Sequence, residues 1–304
     1  MEKPAVLKAS TPGGHPIIRA VWLGAFILLV LAALLFEIGA FSYPIPAVTA
    51  VAWLVAGLVA YGVRHARFLG TLAGGERALR SGDLPAARAV IAPLVDRFPN
   101  IPAVQRVAGL VLYASGDPLS AAAMLEGVTR TMPDDKDLVV TLVAAYAALN
   151  KAGDARRAAT LRPDDPDVRL ALAWAELVAL GGDRERGTAM APSLPADTPA
   201  RAAMAATLQA IAAAERHDAA TVRARLRDAE DRYVLLADDE RAFLGYLGGV
   251  ALRELGAIDD ARSTFTLAME AAPGTIGEAL ARRERAHMPS GSGSPSVSDQ
   301  PSSD

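Results

Sequence analysis

The chain has 304 residues, of which 64 are alanine and none is cysteine, and its formal charge is −3. The lack of cysteine excludes a disulfide scaffold, a thiolate metal site and a cysteine nucleophile, and the small acidic charge argues against a nucleic-acid binder. Apolar residues make up 52% of the chain but aromatic residues only 5%, which favours an all-α protein whose helices pack through small side chains.

The first 63 residues contain two long apolar segments that are separated by Pro44 and Pro46. An uninterrupted apolar stretch of about 20 residues is long enough to cross a bilayer as a helix, and the prolines would end one helix and begin the next. The sequence therefore predicts a cytoplasmic tail over residues 1–16 and a transmembrane helical hairpin over residues 17–63, with spans at 17–41 and 45–63.

Basic residues flank this segment on both sides, and the connecting loop has none. By the positive-inside rule these basic residues place both termini in the cytoplasm. The bias of the composition towards alanine and arginine indicates a high-GC bacterial genome. The predicted location is thus the bacterial inner (plasma) membrane, with a lipid bilayer as one partner. Two alternatives stay open: a buried hairpin within a soluble domain, and a cleaved signal peptide that ends near Ala40. The flanking residues are Lys3, Lys8, Arg19, Arg64 and Arg67.

After Arg67 a sequence pattern repeats at intervals of 34 residues. A glycine, followed directly by aspartate in the first two copies, precedes alanine by five residues, a large apolar residue by nine and proline by 17. Glycine can end a helix in the left-handed conformation, aspartate can cap the next helix, and alanine allows two helices to approach closely. The clearest copies contain Gly82, Ala87, Ile91 and Pro99; Gly116, Ala121, Leu125 and Pro133; and Gly256, Ala261, Phe265 and Pro273.

This pattern resembles the tetratricopeptide repeat, which implies helix-turn-helix units that stack into an α-solenoid. We expect a repeat domain over residues 68–288, including a capping helix at 277–288, and a disordered Ser/Gly/Pro tail at 289–304. The third unit departs from the pattern because Gly153-Asp154 comes three residues late, so irregular stacking is expected near 150–166. The six expected units span residues 68–101, 102–135, 136–167, 168–201, 202–241 and 242–275.

No catalytic or cofactor motif accompanies these repeats, so we predict a protein that is not an enzyme and has no cofactor or metal. The four histidines lie far apart in the sequence, and a solenoid would not bring distant repeats together. Pairs of acidic residues recur at the turns, where helix capping explains them better than cation binding does.

The resemblance implies that the first helix of each unit lines a concave groove that binds a protein or peptide. Arginine and aromatic side chains there are of the types that dominate interface energies, although any of them could instead pack between repeats. The predicted groove residues are Glu76, Arg80, Arg106, Leu110, Tyr113, Arg169, Glu176, Phe243, Tyr246 and Arg253.

Two functions fit these expectations. The first is a membrane-anchored scaffold or assembly factor that presents a cytoplasmic groove to a protein partner. The alternative is an accessory or regulatory subunit of a membrane enzyme or transporter, docked through its transmembrane hairpin.

Overall fold

The computed structural model describes residues 45–288, with side chains described from residue 52 onward. The described chain forms thirteen α-helices and two 3-10 turns, at Ala191–Ser193 and Tyr233–Leu235, and contains no strand. The helices are α1 (Ile45–Arg80), α2 (Leu84–Arg97), α3 (Pro102–Ala114), α4 (Pro118–Thr129), α5 (Lys136–Ala148), α6 (Ala152–Ala159), α7 (Pro166–Val178), α8 (Arg184–Met190), α9 (Pro199–Ala214), α10 (Ala219–Glu230), α11 (Asp238–Glu254), α12 (Ile258–Ala271) and α13 (Ile276–His287).

Successive helices form six pairs, from α1 with α2 to α11 with α12, and α13 follows as an additional helix. The two helices of each pair pack on each other, and the first helices of neighbouring pairs also lie side by side. This arrangement confirms the tetratricopeptide-like fold expected for the part of the chain after Arg67.

The turns within the pairs explain the repeat. Gly82 and Gly116 have φ angles of 77° and 82°, a conformation that glycine adopts without a steric penalty. The next residues, Asp83 and Asp117, cap α2 and α4 through their carboxylates.

The third unit keeps this register, contrary to the sequence prediction. Its left-handed turn residue is Asn150, with φ 59°, which lies 34 residues after Gly116. Asparagine is among the few residues other than glycine that tolerate this conformation. Gly153 lies inside α6 instead, and α5 packs directly against α7, so the array continues through residues 150–166.

Close approach between paired helices depends on small residues. A β-carbon added to Gly249 in α11 would lie 2.5 Å from Cε1 of Phe265 in α12. Phe265 is fully buried, as is Leu125 at the equivalent position of the second unit. The large apolar residues of the sequence pattern therefore fill the space between paired helices, as predicted.

The last helix contacts units that are distant in sequence. Arg283 in α13 donates a hydrogen bond of 2.7 Å to the carbonyl of Ala148 at the end of α5. A β-carbon added to Gly116 would lie 3.0 Å from Cβ of Ala279 in the same helix. The expectation that a solenoid keeps distant repeats apart is wrong here, because the array curves enough for its end to reach the second and third units.

The structure corrects the predicted membrane hairpin. In residues 45–288 no helix is both long and apolar enough to cross a membrane. The segment at 45–63 does not end at Val63 but continues through Arg64 and Arg67 in one helix, α1, whose last turns bury Leu72 in the first repeat unit. The predicted hairpin and the multi-pass inner-membrane location are therefore wrong, and the bilayer partner that depended on them is not supported.

Three other expectations fall on segments outside the described residues. They are the N-terminal tail at 1–16, the first apolar segment at 17–41 and the C-terminal tail at 289–304.

We expect the close packing at Gly249 to be sensitive to a single methyl group. Gly249→Ala should destabilise the fold by about 1–3 kcal/mol, because the added methyl group overlaps the buried Phe265 ring. Thermal unfolding followed by circular dichroism measures the effect. Gly74→Ala is the matched helical control: its added β-carbon meets no atom within 4 Å, so its higher helix propensity should leave stability unchanged or raised. Equal melting temperatures for the two variants would contradict this account of the packing.

Candidate functional site

The inner face of the array contains a cavity of about 400 Å³, lined by the first helices of five consecutive units. Its volume lies within the range of about 300–1,000 Å³ that is usual for ligand pockets. At about 30 Å³ per water molecule it would hold roughly a dozen waters. The lining residues are Tyr113, Val140, Thr141, Ala144, Asp167, Leu170, Ala171, Trp174, Ala200, Arg201, Met204, Glu240, Phe243 and Leu244.

An aromatic cluster forms one wall of the cavity. The ring centroid of Trp174 in α7 lies 4.9 Å from that of Phe243 and 6.4 Å from that of Tyr246, both in α11. Both ring pairs have edge-to-face geometry. Such ring pairs contribute about 0.5–1.5 kcal/mol beyond the burial of their area. Trp174 and Tyr246 are almost fully buried, whereas Phe243 stays partly accessible. This wall is thus both rigid and apolar.

Burial keeps the nearby phenols neutral. It raises the pKa of Tyr246 to about 12, with a smaller contribution from Glu284, and it also raises the pKa of Tyr113, with a smaller contribution from Tyr246. Neither hydroxyl group is poised to exchange a proton near neutral pH.

The charged residues of the cavity lie in the first turns of three helices. Asp167 is in α7, Arg201 in α9 and Glu240 in α11. Carboxylates are favoured in this position because the N-terminal end of a helix carries a partial positive charge.

Arg201 is held by two carboxylates. Its Nε and Nη2 atoms donate to the two carboxylate oxygens of Asp167 at 2.7 and 3.1 Å, and Nη1 donates to Asp197 at 2.7 Å. Nζ of Lys136 lies 2.6 Å from Oδ2 of Asp167, the oxygen that also accepts from Nη2 of Arg201. These hydrogen bonds, above all the one from Arg201, hold the pKa of Asp167 below its usual value. The pair is therefore ionised and tightly oriented at neutral pH.

Glu240 differs from Asp167 because no ion pair is recorded for it in residues 45–288. One of its carboxylate oxygens accepts the backbone N–H of Ala237 at 3.0 Å, which caps α11. The residue is otherwise exposed to solvent. It marks the solvent-accessible end of the cavity and leaves one carboxylate oxygen available.

Only Tyr113 and Phe243 of the ten predicted groove residues line this cavity. Leu110 and Tyr246 are buried in the packing between helices. Arg169 donates to the carbonyl of Ser193 at 2.8 Å, and Arg253 forms ion pairs with Glu254 and Glu284.

The remaining four predicted residues belong to buried or half-buried ion pairs. Arg106 donates to Glu76 at 3.0 Å, to Asp135 at 2.6 Å and to Asp137 at 3.3 Å, and Arg80 also pairs with Glu76. Burial acts to lower the pKa of Arg106, but the charges of Asp135 and Glu76 outweigh it and raise the pKa. These ion pairs join the first three units. Few polar atoms of these side chains therefore remain available to a ligand.

Glu176 forms a second ion-pair network. Its fully buried carboxylate accepts two hydrogen bonds of 2.6 Å from Arg156 and one of 2.8 Å from the N–H of Asp183. Burial favours the neutral acid, yet these donors outweigh it and lower the pKa of Glu176. The network fixes the packing between the third and fourth units.

Sequence reasoning missed Trp174, Asp167, Arg201 and Glu240. Each lies on a first helix, as the repeat register already implied for groove residues, but the register alone does not say which turn of a helix meets the cavity. A check for charged residues in the first turns of α7, α9 and α11 would have found the last three.

Within residues 45–288 there is also no cluster of three or more histidine or acidic side chains able to hold a metal ion.

No protein-family model matches the sequence, and no curated protein matches it either. Among solved structures the chain is similar to a tetratricopeptide repeat protein from Parabacteroides merdae, with 14% sequence identity and a TM-score of 0.49. The similarity covers 84% of this chain and 97% of the other.

The ion pair of Asp167 should make stability depend on acid pH. Because its pKa is below 3.8 in the folded chain and ordinary in the unfolded chain, protonation favours unfolding. Its stabilising contribution is complete above about pH 4 to 5 and disappears as pH falls through the folded-state pKa. Asp167→Asn should therefore show a shallower loss of unfolding free energy between about pH 5 and 2 than the unmodified protein.

Chemical denaturation at several pH values measures this difference. Asp96→Asn is the control, since Asp96 is exposed in α2 and no ion pair is recorded for it among the described residues. An identical acid dependence in the Asp167 variant and the unmodified protein would show that this pair does not contribute.

Proposed function

We propose that the protein is a protein–protein interaction scaffold, and that the cavity binds an extended apolar segment of a partner protein. The observation that carries this proposal is the cavity of about 400 Å³ on the inner face of the repeat array, with its aromatic wall and charged end. Binding sites of this kind are mostly apolar, with a few polar groups that orient the ligand.

The size of the cavity supports a segment rather than a single side chain. A volume equal to roughly a dozen water molecules accommodates two or three adjacent apolar residues. Covering the partly exposed side chains of Val140, Met204 and Phe243 would favour binding at about 25 cal/mol per Å² of apolar area covered.

The ionisable groups around the cavity support binding rather than catalysis. Acid–base catalysis needs groups whose pKa values lie near the working pH. Here burial moves the pKa of Tyr246 upward to about 12, and Arg201 keeps the pKa of Asp167 below its ordinary value. Both shifts lead away from neutrality, which favours a non-catalytic role.

The alternative function was an accessory subunit that docks through a transmembrane hairpin. That hypothesis depended on the predicted hairpin, which the structure contradicts, and it is therefore not retained.

Filling the cavity should remove binding without unfolding the protein. We expect Ala171→Phe to lower the affinity for apolar peptides selected from a displayed random library by at least about tenfold, because the new ring occupies the volume that the ligand needs. Ala171 is 6% exposed and lies in the cavity wall. Affinity is measured by isothermal titration calorimetry.

The control is Ala89→Phe, which adds the same ring to an exposed position of α2. Circular dichroism verifies that both variants keep their helices. Selected peptides that bind equally well to all three proteins would place their site elsewhere and contradict the proposal.

A further inference from the structure

We infer that the cavity prefers apolar segments that carry a basic residue next to the apolar core. This inference rests on the proposed function and adds the charge of the ligand to it. It is based on the charged groups at the solvent-accessible end of the cavity. The carboxylates there outnumber the cations, and Arg201 is already paired with carboxylates whereas Glu240 has no recorded ion pair within residues 45–288.

Carboxylates outnumber cations around this end of the cavity. Asp167, Asp197 and Glu240 contribute three negative charges, and Arg201 and Lys136 contribute two positive charges. The local excess is negative, so a cationic ligand is attracted and an anionic ligand is repelled.

The arginine is unsuited to receive a ligand carboxylate. Its guanidinium already donates three hydrogen bonds, two to Asp167 and one to Asp197, and its side chain is only 18% exposed. An incoming carboxylate would have to lie beside both resident carboxylates or displace one of them. Either route opposes binding, because like charges in close contact disfavour each other.

Glu240 is suited to receive a cation. It is exposed, it lines the cavity, and no ion pair is recorded for it in the described part of the chain. The N–H of Ala237 occupies one carboxylate oxygen and leaves the other to accept from a lysine or arginine of the ligand. Asp167 adds to this field, since its hydrogen bonds with Arg201 keep its pKa low and the group ionised.

The apolar and charged parts of the site are contiguous. Phe243 and Leu244 follow Glu240 within one helical turn of α11 and line the same cavity. A ligand whose apolar side chains contact these residues would thus bring a neighbouring basic side chain close to Glu240.

Three blocked peptides with the same Leu-Phe-Leu core test the inference. They carry lysine, glutamine or glutamate on both sides of the core, with acetylated and amidated ends. Binding to the full chain carrying Trp22→Phe and Trp53→Phe is followed by the fluorescence of Trp174, the one tryptophan left of the three in the sequence. Calorimetry with the unmodified protein checks the affinities.

We expect the lysine peptide to bind about three- to tenfold more tightly than the glutamate peptide at low salt, with the glutamine peptide between them. The ratio should shrink towards one in about 1 M salt, where the screening length falls to about 3 Å. Glu240→Gln keeps a hydrogen-bond acceptor for the N–H of Ala237 but removes the charge, so it should reduce the ratio without affecting the fold. Glu270→Gln removes the same charge from an exposed position of α12 and should leave the ratio unchanged.

The outcomes separate this inference from the proposed function. Equal binding of the three peptides, or tighter binding of the glutamate peptide, would overturn the charge preference and leave the apolar binding site standing. No binding of any peptide to the unmodified protein would overturn both. If the protein self-associates and Ala171→Phe abolishes that association, the cavity binds a second copy of the chain. This result would also overturn the inference.

Discussion

The inner face of this array is shaped by the contact between α7 and α11, two first helices that belong to units four and six. Trp174 reaches Phe243 at 4.9 Å, although α9 lies between their units in the sequence. This is sterically allowed because α9 consists largely of alanine and presents only Ala200, Arg201 and Met204 to the cavity. The aromatic wall of the cavity depends on this approach.

Ion pairs give the packed first helices a defined register, and one of them, between Arg106 and Glu76, is buried. Alanine-rich surfaces slide easily because they lack the large side chains that interlock one helix with another. Arg106 links α3 to Glu76 of α1 and Asp137 of α5, and Arg201 links α9 to Asp167 of α7. A buried ion pair contributes little net stability when its desolvation is counted. Its effect here is positional, since a shifted helix would leave a charge unpaired away from water.

The sequence predicted much of the fold because its turns are chemically distinctive. Gly82, Gly116 and the aspartates that follow them specify a helix end and a helix start. The resemblance of their spacing to the tetratricopeptide repeat implied that the helix pairs stack. The prediction failed at the third unit because an asparagine turn, Asn150, was not recognised as equivalent to a glycine turn. It failed for the membrane hairpin because the apolar stretch at 45–63 was considered without the charged helix into which it continues.

The sequence alone determined which helices face inward, but it did not determine which of their residues meet a ligand. Arg106, Glu176 and Tyr246 satisfied the residue types and the register expected of a groove, yet they are buried. Asp167, Arg201 and Glu240 come from three separate units, and only the packing of α7, α9 and α11 places them around one cavity. Repeat spacing is a local property of turns and caps, whereas curvature is the sum of many small packing angles between neighbouring helices. The sequence thus determined the stack of helix pairs, and the tertiary structure decided where that stack leaves an apolar cavity with an acidic end.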